Sequence, residues 1–292
     1  MIQTKTYNVG EHLFAMEGEE AIFSQLSNYT PFEAVQIGGT HVFIIHVMNE
    51  PLPSSEGWKH VHTDTSDDDM PRIEMYRKEK EWLFLISMYR ETEIVCALRC
   101  NDDWSDVQVS MKAGFERFAI DNAAMLAYAF RTTTMKTLLF HASVIVREGK
   151  GFLFLGHSGT GKSTHSQQWL AAFEDARLLN DDNPVVRVCE DGVVRVYGSP
   201  WSGKTACYVA DQAPVAALVQ LAQAPYNKIE SLRMTQAYPF ILSSVSGLKI
   251  LPEAMDAIYE SIAKLLELCP VYRLECLPNT DAAQLCAQTC SL

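Results

Sequence analysis

Nine consecutive residues, Gly156-His157-Ser158-Gly159-Thr160-Gly161-Lys162-Ser163-Thr164, fill every position of the pattern G-x-x-x-x-G-K-[ST]. The residue types suit phosphate. Glycines let successive backbone N–H groups turn inward around phosphate oxygens, Lys162 supplies a mobile positive charge, and the Ser163 hydroxyl can ligate Mg²⁺. Gly156, Ser158, Gly159, Thr160, Gly161, Lys162, Ser163 and Thr164 are therefore the candidate contacts to a nucleotide. Nineteen residues after Lys162 stands a second acidic feature, Asp181-Asp182, at the end of an apolar run. One carboxylate of such a pair can hold Mg²⁺ while the other takes the proton of an attacking hydroxyl. Alone, Asp181-Asp182-Asn183-Pro184 would read as a turn; beside a phosphate loop it reads as part of a site.

The elements that must position these residues follow from periodicity. Gly151 to Leu155 reads as a short buried strand, and Ser163 to Phe173 carries apolar residues at helical spacing, so the loop lies between a strand and a helix N-terminus. Upstream, Thr137 to Val146 is a β-like run, and a helix from about Phe115 to Arg131 precedes it. Downstream come an expected hairpin (Val185 to Val188 and Val193 to Tyr197, turning at Asp191-Gly192), a strand from Pro214 to Leu221, a helix from Pro252 to Leu268, a strand from Val271 to Leu277, and a closing helix from Asp281 to Cys290. Mixed α/β is the class for this half. Before about Ser110 the chain reads as strands and turns: Val42 to Val47, Glu74 to Met88, Glu93 to Leu98 and Asp106 to Met111. The expected organisation is thus an antiparallel β-rich N-terminal domain over 1–112 and a nucleotide-binding domain over 113–292.

Here the residues reach a family resemblance. His141-Ala142-Ser143-Val144, then Gly156 to Thr164, then Asn180-Asp181-Asp182, resemble in order and spacing the catalytic domain of the HPr serine kinase/phosphorylase family, which shares its P-loop nucleotide fold with ATP-dependent phosphoenolpyruvate carboxykinases. Gly198-Ser199-Pro200-Trp201-Ser202-Gly203-Lys204 and Pro214 to Leu221 look like segments of HPr-kinase-like proteins that are not HPr kinases. The resemblance runs from about Leu138 to the C-terminus. It implies ATP and Mg²⁺ as ligands, Lys162 at the β/γ-phosphates, Ser163 at the metal, Asp181 as general base with Asp182 at the metal, and His141 in the active site, with the two Asp roles open to exchange. A hydrogen-bonded histidine under the sheet is the alternative for His141. Self-association is implied by the resemblance alone.

Departures shape the expected activity. HPr kinases carry Asp where this chain has His157, and no Arg-rich glycine segment follows Lys204, which argues against HPr as the substrate. The leading expectation is a kinase transferring the γ-phosphoryl group of ATP to a hydroxyl of a peptide, a protein or a small metabolite; the alternative is an ATP-binding regulatory module without turnover. Carboxykinase-type lyase chemistry fits poorly, because Arg147, Arg177, Arg187, Arg195, Arg233 and Arg273 are scattered. Lys204 could supply a cation to the transferring group or be a solvated loop lysine, and Trp201 reads as core.

Charge and composition narrow the partners. A net charge of -12 without a basic stripe argues against nucleic acid. The first residues, Met1 to Tyr7, lack the apolar core of a signal peptide, and runs such as Val42 to Ile45 are too short to span a bilayer, so a cytoplasmic protein without a membrane partner is expected. Eight scattered cysteines without a C-x-x-C pair signal neither zinc nor a disulfide framework. His60, His62, Asp64, Asp67, Asp68 and Asp69 fall in the stretch Pro51 to Pro71, read as irregular; they could ligate a divalent ion, but a solvated acidic loop is the expectation.

Overall fold

The computed structural model describes residues 1–34, 39–64, 71–203, 205–247 and 251–290. They form two compact units, Met1–Arg131 and Thr132–Leu292, so the division falls near the end of a helix rather than before it. Each unit is built on its own large sheet, giving a mixed α/β architecture.

In the first unit, β1 (Ile2–Val9) and β2 (His12–Glu19) form a hairpin that opens the chain. Gly10 and Glu11, both at positive φ, make the two-residue turn whose twist suits paired strands. A short helix α1 (Glu20–Phe23) follows, then β3 (Ile44–Val47), β4 (Lys59–Asp64), β5 (Arg72–Lys78), β6 (Glu81–Ser87), β7 (Ile94–Asn101), β8 (Asp106–Met111) and helix α2 (Glu116–Thr133). The strand order is β1-β2-β3-β8-β7-β6-β5-β4. This sheet is not wholly antiparallel as expected, because β3 runs parallel to both β2 and β8. The stretch Glu74 to Met88 is likewise two strands, broken where Glu79 takes a positive φ. Ala119, Ile120, Ala123, Ala124, Ala127 and Tyr128 line the buried face of α2 at the three- and four-residue steps that define one helix side.

The second unit continues with β9 (Thr137–Phe140), β10 (Ala142–Arg147), β11 (Lys150–Leu155), α3 (Lys162–Ala172), β12 (Arg177–Asp182), β13 (Val185–Val188), β14 (Val194–Tyr197), β15 (Gln212–Gln223), β16 (Lys228–Ser231), α4 (Met234–Ser244), β17 (Val245–Ser246), α5 (Pro252–Leu268), β18 (Val271–Cys276) and α6 (Thr280–Cys290). The strands lie in the order β12-β10-β11-β15-β14-β13-β9-β17, with β18 also pairing β15 and β16. Alternation sorts the side chains. Val144, Leu153, Leu155 and Leu218 join Ile241 of α4 and Ile258 and Ile262 of α5 in one buried cluster. Ile145, Phe152, Phe154, Ala217 and Val219 join Trp169 of α3 and Ala283 and Cys286 of α6 in the other. The period of two puts neighbours on opposite faces, so helices are packed on both.

Two features of this sheet position the site. β11, β15 and β18 are mutually parallel neighbours, so their C-terminal ends lie along one edge. The run Thr137 to Val146 is interrupted at His141, between β9 and β10, rather than continuous.

Candidate functional site

The glycine-rich segment joins the end of β11 to the start of α3. Gly159 and Gly161 take left-handed φ values of 77° and 104°, conformations that side chains disfavour. Gly161 is the N-cap of α3, so the first N–H groups of the helix lie beside the loop without intrahelical acceptors, at the positive end of the helix dipole. Lys162 Nζ donates to Gly156 O at 2.9 Å and lies 3.4 Å from His157 O, folding the lysine over its own loop. His157 itself is exposed, and its carbonyl accepts from Thr160.

The break at His141 lets the side chain reach two partners. Its Nε2 lies 2.9 Å from Lys162 Nζ and its Nδ1 lies 2.9 Å from Asp182 Oδ1. An ammonium can only donate, so Nε2 accepts and the ring proton sits on Nδ1, donated to Asp182. Asp182 Oδ2 accepts from Asn183 Nδ2 at 2.9 Å.

Asp181 is buried, and its Oδ1 accepts from Ser163 Oγ at 3.0 Å. Consecutive residues of a regular strand point to opposite faces. Asp182 escapes that rule through a φ of 139°, a strained value for a non-glycine residue and one that costs on the order of 1–3 kcal/mol. Both carboxylates are thereby tied to the loop, Asp181 through Ser163 and Asp182 through His141 and Lys162.

A polar network beneath the pair holds that geometry. Asn180, fully buried, donates to Ser199 Oγ at 3.1 Å and Trp201 O at 3.2 Å through Nδ2, and its side-chain Oδ1 accepts from Asn183 N at 2.9 Å. Gly203 N donates to Asp181 O at 2.8 Å, so the segment 198–203 is strapped along the Asp pair. Gly198 starts that strap because nothing larger fits: a Cβ there would lie 1.9 Å from Val209 O. The buried Ser143 and Ser166 hydroxyls, 2.6 Å apart, tie β10 to α3. Burial and then the Asp181 charge push the nearby Cys207 thiol up to about 11, which leaves it protonated and unreactive.

Among the residues marked out in the sequence, His141, Lys162 and Asp182 form one hydrogen-bonded chain and Ser163 and Asp181 a second beside it, joined through adjacent backbone positions. Trp201 is buried. Lys204 lies outside the described residues, as do Asp67, Asp68 and Asp69. His60 and His62 sit on β4 rather than in an irregular loop, and His60 Nε2 lies 2.8 Å from Thr63 Oγ1. No group of three metal-capable side chains gathers among the described residues. Asn180, Ser143 and Ser166 went unmarked as side chains with a role.

Residues 104–277, more than half of the chain, match the family described as SynChlorMet cassette protein ScmC. The chain belongs to the ScmC family. No curated protein matches it. Among solved structures, the HPr(Ser) kinase/phosphatase from Coxiella burnetii is similar at 14% identity and a TM-score of 0.31, over 51% of this chain and 86% of that one. What this ScmC-family chain can do is therefore read from its own side chains. A serine hydroxyl beside a buried carboxylate offers the hard oxygen donors that a divalent cation such as Mg²⁺ takes. The glycine loop and the helix N-terminus offer backbone donors to an anion. No helix among the described residues is long and apolar enough to cross a membrane.

Proposed function

We propose that this ScmC-family protein binds ATP with Mg²⁺ on the 156–164 loop and transfers the γ-phosphoryl group to a hydroxyl of a peptide, a protein or a small metabolite, with an HPr-kinase-like P-loop domain as the working part. The observation that carries this reading is the convergence of two carboxylates on one loop, Asp181 on Ser163 and Asp182, through His141, on Lys162. Phosphoryl transfer needs little more than positioned charge: donors around the phosphates, a cation site and a base for the acceptor.

Hydrogen bonding favours one of the two assignments of the Asp pair. Asp181, buried and bonded to the serine hydroxyl, suits the metal side, with Ser163 as its companion ligand. Magnesium bound there would neutralise charge on the phosphate oxygens. Asp182, which is half-buried and held by His141 and Asn183, suits the acceptor side as general base. This exchanges the roles first assigned from the resemblance. Lys162, released from Gly156 O and His157 O, would turn its charge to the phosphates, and His141 would keep Asp182 oriented.

The test is transfer of labelled γ-phosphate from Mg·ATP into a desalted host extract and its small-molecule fraction. A labelled product made by wild type and lost in Lys162→Ala and Asp182→Asn supports the kinase. Tight, Lys162-dependent ATP binding without any labelled acceptor would instead favour the regulatory module.

A further inference from the structure

His141 has two ring nitrogens, and holding Asp182 in place uses only one of them. Nδ1 donates its proton to Asp182 Oδ1 at 2.9 Å, which leaves Nε2 with an unprotonated lone pair. That lone pair is aimed at Lys162 Nζ, 2.9 Å away, the cation assigned above to the phosphates. A phosphoryl group that draws the ammonium off Nε2 is thereby brought beside the lone pair the ammonium leaves.

The backbone builds in this placement. His141 falls in the gap between β9 and β10, where its N–H is captured by Ser244 O at 2.7 Å. Its neighbour Ala142 stands opposite Asp182 in the register of β10 with β12, so ring and carboxylate meet across adjacent strands. Asp182 is held at its other oxygen by Asn183 Nδ2, and 36% of the His141 side chain stays exposed. An imidazole oriented by a carboxylate, with its second nitrogen open to the site, is the arrangement of an activated nucleophile.

We propose that His141 takes the γ-phosphoryl group on Nε2 and then hands it to the hydroxyl acceptor, so that it carries the group covalently as well as orienting Asp182. The inference rests on the kinase reading above and divides its one transfer into two. In the first step the Nε2 lone pair forms an N–P bond, the bond from the γ-phosphorus to the bridging oxygen breaks, and ADP leaves with that electron pair. Nδ1 keeps its proton, and the Asp182 carboxylate faces the positive charge of the phosphorylated ring. In the second step the acceptor oxygen attacks phosphorus, the N–P electrons return to Nε2, and the acceptor's proton passes to Asp182.

The test incubates full-length wild type, Lys162→Ala and His141→Gln with Mg·ATP labelled at the γ-phosphate, first without an acceptor and then in desalted host extract. Glutamine supplies an amide donor and acceptor but no nucleophilic nitrogen. Wild type is expected to take up label, to at most about one phosphate per chain, that is stable to alkali, lost in acid and mapped to the peptide holding His141. Labelled ADP should exchange into ATP without an acceptor, and both label and exchange should fall at least about tenfold in either variant. Peptide mapping of wild type locates the label whether or not His141→Gln folds. If wild type labels an acceptor in the extract but shows neither acid-labile phosphate on the protein nor exchange, transfer is direct: the inference falls and the kinase reading stands. Acid-stable label, label mapped to another residue or retained in His141→Gln, and label that neither ADP nor the extract removes each overturn it as well. Absence of label from both protein and extract overturns the kinase reading and the inference together.

Discussion

Asp181 and Asp182 are identical in type and adjacent in sequence, yet the hydrogen bonds each makes give them different surroundings. Buried Asp181 meets a serine hydroxyl, while Asp182 meets a histidine and an asparagine amide. The segment 156–164 was legible as a strand-to-helix loop because its glycine pattern is local. Asn180 was not, because its value lies in partners some twenty positions away at Ser199 and Trp201. Asn180→Ala would leave several buried groups without partners, and we expect a loss of about 2–4 kcal/mol in urea unfolding, together with weaker Mg·ATP binding. His165 was equally silent, since its burial against Trp169 depends on which way its helix face turns. Its pKa falls from 6.5 in the unfolded chain to about 4 on burial, so the unfolded state binds more protons between those values. The stability it contributes is complete above pH 6.5 and is lost as pH falls toward 4, by on the order of 3 kcal/mol. Denaturation midpoints across that window should drop steeply for wild type and less for His165→Gln, which keeps an acceptor for Trp169.

At the scale of elements, the strand β11, the glycine turn and the helix α3 match the expected order, and the strands β13, β14, β15 and β18 fall close to their expected spans. The opening hairpin escaped notice because its strands carry many polar residues and its turn is only Gly10-Glu11. Helix α4 escaped because Pro239 lies inside it, a residue that argues against helix from sequence. The break at His141 was hidden for another reason: a continuous β-like run does not reveal where its backbone is captured by Ser244 O. The turn before α3 offers a clean backbone test. A Cβ on Gly161 would meet nothing within 4 Å, so Gly161→Ala should cost only the left-handed conformation, about 1–2 kcal/mol in stability. Since that conformation aims the first N–H groups of α3, tripolyphosphate affinity should fall by at least about tenfold in the same variant.

For the whole molecule, each unit carries its own sheet and its own buried residues, as an independently stable domain does. Two calorimetric transitions are therefore expected. Phe84→Ala, in the first unit, should lower one, and Trp169→Ala, in the second, the other, each by the roughly 3–5 kcal/mol typical of emptied aromatic sites. A single transition lowered equally by both variants would show one cooperative body instead. The ScmC family match spans the candidate site from β9 to the end of β18, so the proposed nucleotide chemistry falls on the family's shared segment. The most direct measurement is the Mg²⁺ dependence of ATP affinity in wild type, Asp181→Asn and Asp182→Asn. Mg²⁺ is expected to tighten ATP binding in wild type and Asp182→Asn but no longer to do so in Asp181→Asn. Mg²⁺ dependence retained in Asp181→Asn and lost in Asp182→Asn would contradict the assignment, and ATP affinity indifferent to Mg²⁺ in wild type would contradict the metal-assisted site altogether.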